Sequence, residues 1–394
     1  MNDPAANPFT LDPTVTFLNH GSFGACPRAV QEVQQGIRDE IERQPVRFFL
    51  REYPDRLDAA RVALASFLGA DPEGLVAVPN ATTGVNTVLR SLAFEPGDEI
   101  VVTDHAYNAC RNALDQVASV SGARVRVARI PFPGATPDGV RTAVLETVTA
   151  RTRLALLDHV TSPTGMVLPI AELVRALAAA GVDTLVDGAH APGMVAVDLD
   201  ALGAAYYTGN AHKWLCAPKG AAFLVVRADR RDRVRPLTIS HGANTRRPGR
   251  SRLHDEFDWT GTADPSPFLS VPAAIRSIGS LVPGGWPEVR ARNRELALTA
   301  RETLSAALGL EAPCPDSMIG SLAALPLPGG DPRGPATALS GDRLQDVLLE
   351  RYGIEVPIVS WPGPPHRVVR ISAQLYNRAE DYERLADALL ATLG

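Results

Sequence analysis

Apolar positions along this chain recur in two alternating rhythms. Between Asp55 and Ala70, Leu57, Ala60, Leu64, Phe67 and Leu68 fall at helical spacing, closed by Gly69 and Asp71-Pro72, which predicts a core-facing helix. Leu75 to Val78 predicts a short strand. After it, Val85, Val88, Leu89 and Leu92 mark one face of a helix for which Asn80 or Thr82 is the cap. Pro96-Gly97-Asp98 predicts a turn, Glu99 to Thr103 a buried strand, and Val125, Val127 and Ile130 a further strand after a polar helix. The series continues with a strand over Arg153 to Asp158, a helix over Ile170 to Ala180, and strands over Val182 to Asp187 and Gly220 to Val226. Alternation of this kind predicts an α/β fold, a mostly parallel sheet covered by helices on both faces.

The texture changes near Pro265. A long helix reads from Trp286 to Leu308, strands near Ser321 to Leu325 and Val368 to Ser372, and helices over Asp342 to Tyr352 and Ala379 to Leu393. This predicts a smaller α+β domain, residues 1–19 and 265–394, beside a large domain of residues 20–264. Pro328 to Pro335 reads as a Gly/Pro-rich loop and Ser240 to Phe257 as a polar, arginine-rich one.

Composition narrows the class. At 394 residues, 45% hydrophobic and 21% charged, the chain is neither disordered nor collagenous, and a formal charge of -5 gives no basic field to hold a nucleic acid backbone. No stretch approaches the ~18 uncharged apolar residues of a membrane span. Cys26, Cys110, Cys216 and Cys314 lie far apart without C-x-x-C spacing, which points to a reducing cytosol rather than a zinc ribbon or disulfide frame. The segment Met1 to Asn19 carries Asp3 and Asp12 and no basic leader, so the expected location is cytoplasmic.

One count changes the picture. Lys and Arg together number 39, yet only Lys213 and Lys219 are lysine. Arginine stays protonated, whereas a lysine can be deprotonated by its surroundings and attack a carbonyl, so a lysine kept in so arginine-biased a chain suggests a required amine. Lys213 lies in Gly209-Asn210-Ala211-His212-Lys213-Trp214, about two dozen residues after a strand that ends in Asp187-Gly188-Ala189-His190. Sites of parallel α/β sheets form beyond the carboxyl ends of the strands. A carboxylate there and a reactive amine are what pyridoxal 5'-phosphate chemistry needs, one to keep the pyridine nitrogen protonated and the other to form a Schiff base. Ala81, Thr82 and Thr83 begin a helix whose amides and dipole suit the phosphate. Lys219, between Pro218 and Gly220, reads as structural or at most phosphate-proximal.

The order and spacing of Phe17-Leu18-Asn19-His20-Gly21-Ser22-Phe23-Gly24, Leu50-Arg51-Glu52, Val186-Asp187-Gly188-Ala189-His190-Ala191-Pro192-Gly193 and His212-Lys213-Trp214-Leu215 resemble class V aminotransferases of the fold-type I pyridoxal phosphate superfamily, over nearly the whole chain. The likeness is greatest to the isopenicillin N epimerase-like branch. It implies a large domain with a mostly parallel seven-stranded sheet, pyridoxal 5'-phosphate as cofactor, Lys213 as the Schiff-base lysine and Asp187 as the pyridinium partner. By the same resemblance His105 stacks on the cofactor ring, His190 bonds the ring oxygen, and Ala81, Thr82, Asn210 and His212 form the phosphate cup. Thr262 resembles the residue that reaches the neighbouring subunit's phosphate, which implies a homodimer with shared active sites. Arg370, in Val369-Arg370-Ile371-Ser372, resembles the clamp for a substrate carboxylate, a planar anion that suits a bidentate guanidinium. Asn19, Ser22 and Arg47 join it as substrate-binding candidates, Ser162 stands near the ring, and Phe48, Phe49 and His241 are further pocket candidates. Tyr107 rivals His105 both for stacking and as a second acid.

Such a site acts at the Cα of an amino acid, with Lys213 as the base. Epimerisation or racemisation leads, with Tyr107 or His105 as the second acid/base; C-S elimination, transamination and cyclisation are the alternatives within the family. Persulfide-forming desulfuration is not expected, because Gly353 to Arg370 holds no cysteine. A metallohydrolase using Asp158, His159, Asp187 and His190, and a non-catalytic binding protein, are remote alternatives. No G-x-G-x-x-G or P-loop motif points to a nucleotide.

Overall fold

The computed structural model describes residues 7–332 and 342–393; residues 333–335 of the Gly/Pro-rich loop lie outside them. Runs such as Ile100-Val101-Val102 and Leu154 to Leu157 are buried on both faces, as interior parallel strands require. They belong to a seven-stranded sheet of β1 (Leu75–Val78), β2 (Glu99–Thr103), β3 (Arg124–Ala128), β4 (Thr152–Asp158), β5 (Asp183–Asp187), β6 (Tyr206–Asn210) and β7 (Ala222–Val226). Their spatial order is β1-β7-β6-β5-β4-β2-β3, and β7 alone runs against its neighbours. Strand β6 is the one that apolar patterning misses. Its Tyr-Tyr-Thr-Gly-Asn sequence has no aliphatic run, and it forms a strand because the sheet surrounds it on both sides.

The carboxyl ends of β1, β4, β5 and β6 come together at one edge. There, α1 (Ala81–Ser91) begins under an Asn80 cap, whose side chain accepts from the Thr83 amide at 2.8 Å. This helix lies hard against β6. A Cβ on Gly84 would sit 2.1 Å from Thr208 Oγ1, so the approach is open only to glycine. The helix α2 (Asn108–Ser121) follows β2.

A second, antiparallel sheet joins β8 (Leu322–Leu327), β9 (Ile358–Ser360) and β10 (Arg367–Ser372) in the order β9-β10-β8. The long helix Gly285–Leu308 packs on β8 and on the helix Ala379–Leu393. Thr16–Phe17 pairs in parallel with Ile354–Glu355, so the amino-terminal segment is tied to the carboxyl-terminal third of the chain. The segment Ser240 to Phe257, read as a loop, contains a helical turn at His241–Ala243 and the helix Arg252–Phe257. Its arginines look solvated in sequence, but Arg247 and Arg250 close on buried Asp258 at 3.1 and 3.2 Å, alongside Arg61.

Gly84→Ala should lower stability by about 1–3 kcal/mol, the usual range for overpacking, as α1 is pushed off β6. Thermal unfolding of the two proteins checks this; an unchanged midpoint would contradict the packing described.

Candidate active site

A cavity of about 220 Å³ opens where these strand ends meet α1, and Lys213, Asp187, His190, Asn210, His212, Ala81, Thr82, Tyr107, Ser162 and Ser22 all line it. Register explains the two acids at its floor: Asp158 and Asp187 are the last residues of β4 and β5 and stand side by side as cross-strand partners. Both are buried, and burial raises both carboxyl pKa values; Asp158, further opposed by the charge of Asp187, is pushed well above the usual range. Asp187 is the better stabilised as an anion. Its Oδ1 accepts from the Ala189 amide at 3.0 Å and its Oδ2 from the Cys110 thiol at 3.1 Å.

Lys213 follows β6 in a tight turn. Its side chain is half-buried, and desolvation, reinforced by the charge of Arg370, lowers its pKa from 10.5 to about 7 despite the opposing pull of Asp187. The tautomer of His190 agrees. Trp214 Nε1, a donor only, lies 3.3 Å from His190 Nδ1, so Nδ1 carries the lone pair and Nε2 the proton. That Nε2 lies 3.1 Å from Lys213 Nζ and can donate only to an amine with a free lone pair. Burial also holds His190 neutral, with a pKa well below 6.5.

The remaining parts fit a pyridoxal phosphate. The Ala81 amide is claimed by Asn210 Oδ1 at 2.8 Å and the Thr83 amide by Asn80, which leaves the Thr82 amide, in the first turn of α1 where an anion is favoured, with no partner among the described residues. His212 donates Nδ1–H to the Ala221 carbonyl at 3.1 Å, which keeps Nε2 for the cavity. Arg370, on β10, spans Ser162 and Ser22: Nη1 donates to the Ser162 carbonyl at 2.6 Å and Nη2 to Ser22 Oγ at 3.1 Å. Its Nε is buried with no partner among the described residues, as expected of a guanidinium built to receive an anion.

Several expected residues lie elsewhere. His105 is fully buried off the cavity, Nδ1 on Thr164 Oγ1 at 2.8 Å and Nε2 donating to the Ile130 carbonyl at 2.9 Å, its ring 4.3 Å from Trp361. His105 does not line the cavity, whereas Tyr107, at the cap of α2, does. Asn19 is one layer back, accepting from Ser22 Oγ at 2.5 Å. Arg47 is 62% exposed and paired with Glu52 at 2.7 Å, outside the cavity. Thr262 and His241 are exposed away from it. Phe48 and Phe49 pack with Tyr53 and Trp259. Among the described residues no three His, Cys, Asp or Glu side chains converge to hold a metal ion. Asp158, which the sequence offers only as a metal ligand, Asn80, which it offers only as a helix cap, and Phe23 also line the site; the signal for Asp158 is its place at a strand's carboxyl end, like Asp187.

Comparison with known proteins agrees with this geometry. The chain is 38% identical to isopenicillin N epimerase of Streptomyces clavuligerus, over 98% of this chain and 96% of that protein. It is 34% identical to a probable chloroplastic L-cysteine desulfhydrase of Arabidopsis thaliana, over 96% of this chain and 83% of the relative. Among solved structures, a variant of the protein C-DES with glycine covalently linked to its PLP cofactor superimposes with a TM-score of 0.79 at 22% identity, covering 96% of this chain and 97% of that one, which shows the shared fold. The family model for class-V aminotransferases matches residues 43–385. With Lys213, Asp187 and the start of α1 around one cavity, the chain belongs to the class-V aminotransferase family of pyridoxal 5'-phosphate enzymes.

Proposed function

We propose that this enzyme binds an amino acid through Arg370 and moves the proton on its Cα between Lys213 and Tyr107, as an epimerase or racemase. Pyridoxal phosphate supplies the electron sink that makes the Cα–H acidic. The residues supply everything else. Lys213 Nζ, uncharged above about pH 7, takes the proton; Asp187 holds the pyridine nitrogen protonated; His190 and His212 offer N–H and imidazole contacts to the ring oxygen and the phosphate. Thr82 and α1 receive the phosphate, and Ser162 stands where Arg370 orients the carboxylate. The observation that carries the reading is the amine of Lys213 facing a neutral His190 in the cavity whose Ser22 and Ser162 are bonded to Arg370.

Epimerisation needs a second proton donor. Tyr107 supplies a phenol on the same cavity, held protonated by burial and by the nearby acids Cys110 and Asp187. The same phenol could protonate a departing thiolate, and similarity to a relative named as a desulfhydrase supports C-S elimination as the second reading. A homodimer is supported by Phe23, on the cavity wall yet 65% exposed, and by exposed Thr262, which is free to reach a second copy. All four cysteines are buried and unpaired, in keeping with a reducing cytosol.

Uptake of pyridoxal phosphate by the apoenzyme should quicken as pH rises through about 7, where Lys213 becomes a free amine, and level off above it. A rate still climbing toward pH 10 would contradict the lowered pKa. In deuterium oxide with a panel of L-amino acids, deuterium should enter Cα with inversion and no fragment released, and Tyr107→Phe should slow inversion by about 10²-fold or more while exchange continues. Release of a thiol or sulfide together with ammonia and a keto acid instead would establish elimination.

A further inference from the structure

The segment from Asn19 to Gly24 touches both halves of the site, yet only Ser22 and Phe23 reach the cavity. His20 at its centre is fully buried. Its Nε2 lies 3.0 Å from the carbonyl oxygen of Lys213 and its Nδ1 2.8 Å from Tyr376 Oη. A carbonyl can only accept, so Nε2 carries the proton and Nδ1 the lone pair, and Tyr376 must be the donor. Burial keeps this imidazole neutral, lowering its pKa to about 3. Gln374 Nε2, 3.4 Å from the same nitrogen, is itself a donor, since its Oε1 accepts from Asn293 Nδ2 and the Leu375 amide; it turns to Cys216 Sγ at 3.7 Å.

What His20 holds is a strained turn. The Lys213 carbonyl also accepts from the Cys216 amide at 3.1 Å, and Cys216 has φ +58°, the only residue other than glycine among those described in the left-handed region. The other face of the turn is gripped as well. Gly24, at φ +73°, passes so close that a Cβ would lie 2.1 Å from the His212 carbonyl oxygen, and Lys219 donates to the Gly24 carbonyl at 2.9 Å. The chain's second lysine is thereby accounted for as a brace.

We infer that His20 is a positioning residue for Lys213: its Nε2–H, fixed in that tautomer by the Tyr376 hydroxyl, clamps the Lys213 backbone so that the amine meets the cofactor aldehyde in one orientation. The inference rests on Lys213 being the cofactor lysine. Tyr376 follows β10, the strand of Arg370, and Ser22 bonds that arginine, so one short segment ties the amine loop to the carboxylate clamp.

The test uses holoenzyme and hydroxylamine, a small nucleophile that draws the cofactor off its lysine and bleaches the yellow colour. His20→Ala and Tyr376→Phe should each bleach about tenfold faster than wild type, roughly the worth of one hydrogen bond, and His20→Gln, whose amide donates regardless of tautomer, should stay near wild type. Adding Tyr376→Phe to His20→Gln should change nothing further, because the hydroxyl acts only through the imidazole. Equal bleaching in all variants would overturn the inference, as would a Tyr376→Phe effect that persists in the His20→Gln background. Should His20→Ala fail to fold, the comparison of Tyr376→Phe in the two backgrounds decides alone. Wild-type protein that never colours with pyridoxal phosphate counts instead against Lys213 as the cofactor lysine.

Discussion

An ammonium group loses its proton near neutral pH where water is kept from solvating the charge or another cation opposes it, and this structure brings both conditions to Lys213. The half-buried amine follows just after β6, the cationic Arg370 bonds Ser22 and Ser162 of the cavity wall, and His190 presents an N–H that only a free amine can accept. Asp187 pulls the other way, and the balance leaves a pKa of about 7 rather than a permanently neutral or permanently charged lysine. An arginine could not be tuned in this manner, which is why one of two lysines in 394 residues sits here.

The fold concentrates these groups without bringing them close in sequence. Parallel strands end together, so Asp158, Asp187 and Asn210 share an edge although some 50 residues of helix and loop intervene, and Gly84 lets α1 bring its amides to the same place. The antiparallel sheet adds Arg370 from beyond residue 360, and the amino-terminal segment bonds to both units. The site is thus assembled from distant stretches of chain that the sheet brings together and side chains tie to one another: Asn210 holds the Ala81 amide, Arg370 bonds Ser22 and Ser162, and His20 meets the Lys213 carbonyl.

Much of this was legible before any coordinates. Lys213 announced itself by scarcity, Asp187 by ending a buried strand, and the alternation of strands and helices gave the architecture. What could not be read depended on remote partners. His105 and Tyr107 are two residues apart and chemically comparable; that His105 turns inward is decided by Thr164 and the Ile130 carbonyl, which no local pattern reveals. Strand β6 has an aromatic and glycine sequence that becomes a strand only between β5 and β7. Arg47 resembled a pocket residue but pairs with Glu52, five residues on. The arginines of Ser240 to Phe257 looked like a solvated loop because the acid they close on, Asp258, is buried just beyond it.

The most direct measurement is borohydride reduction of the coloured holoenzyme followed by peptide mapping. Attachment of the reduced pyridoxyl group to Lys213, with loss of colour and label in Lys213→Ala, is the result this account requires. A label on Lys219, or on the amino terminus with Lys213 unmodified, would contradict it.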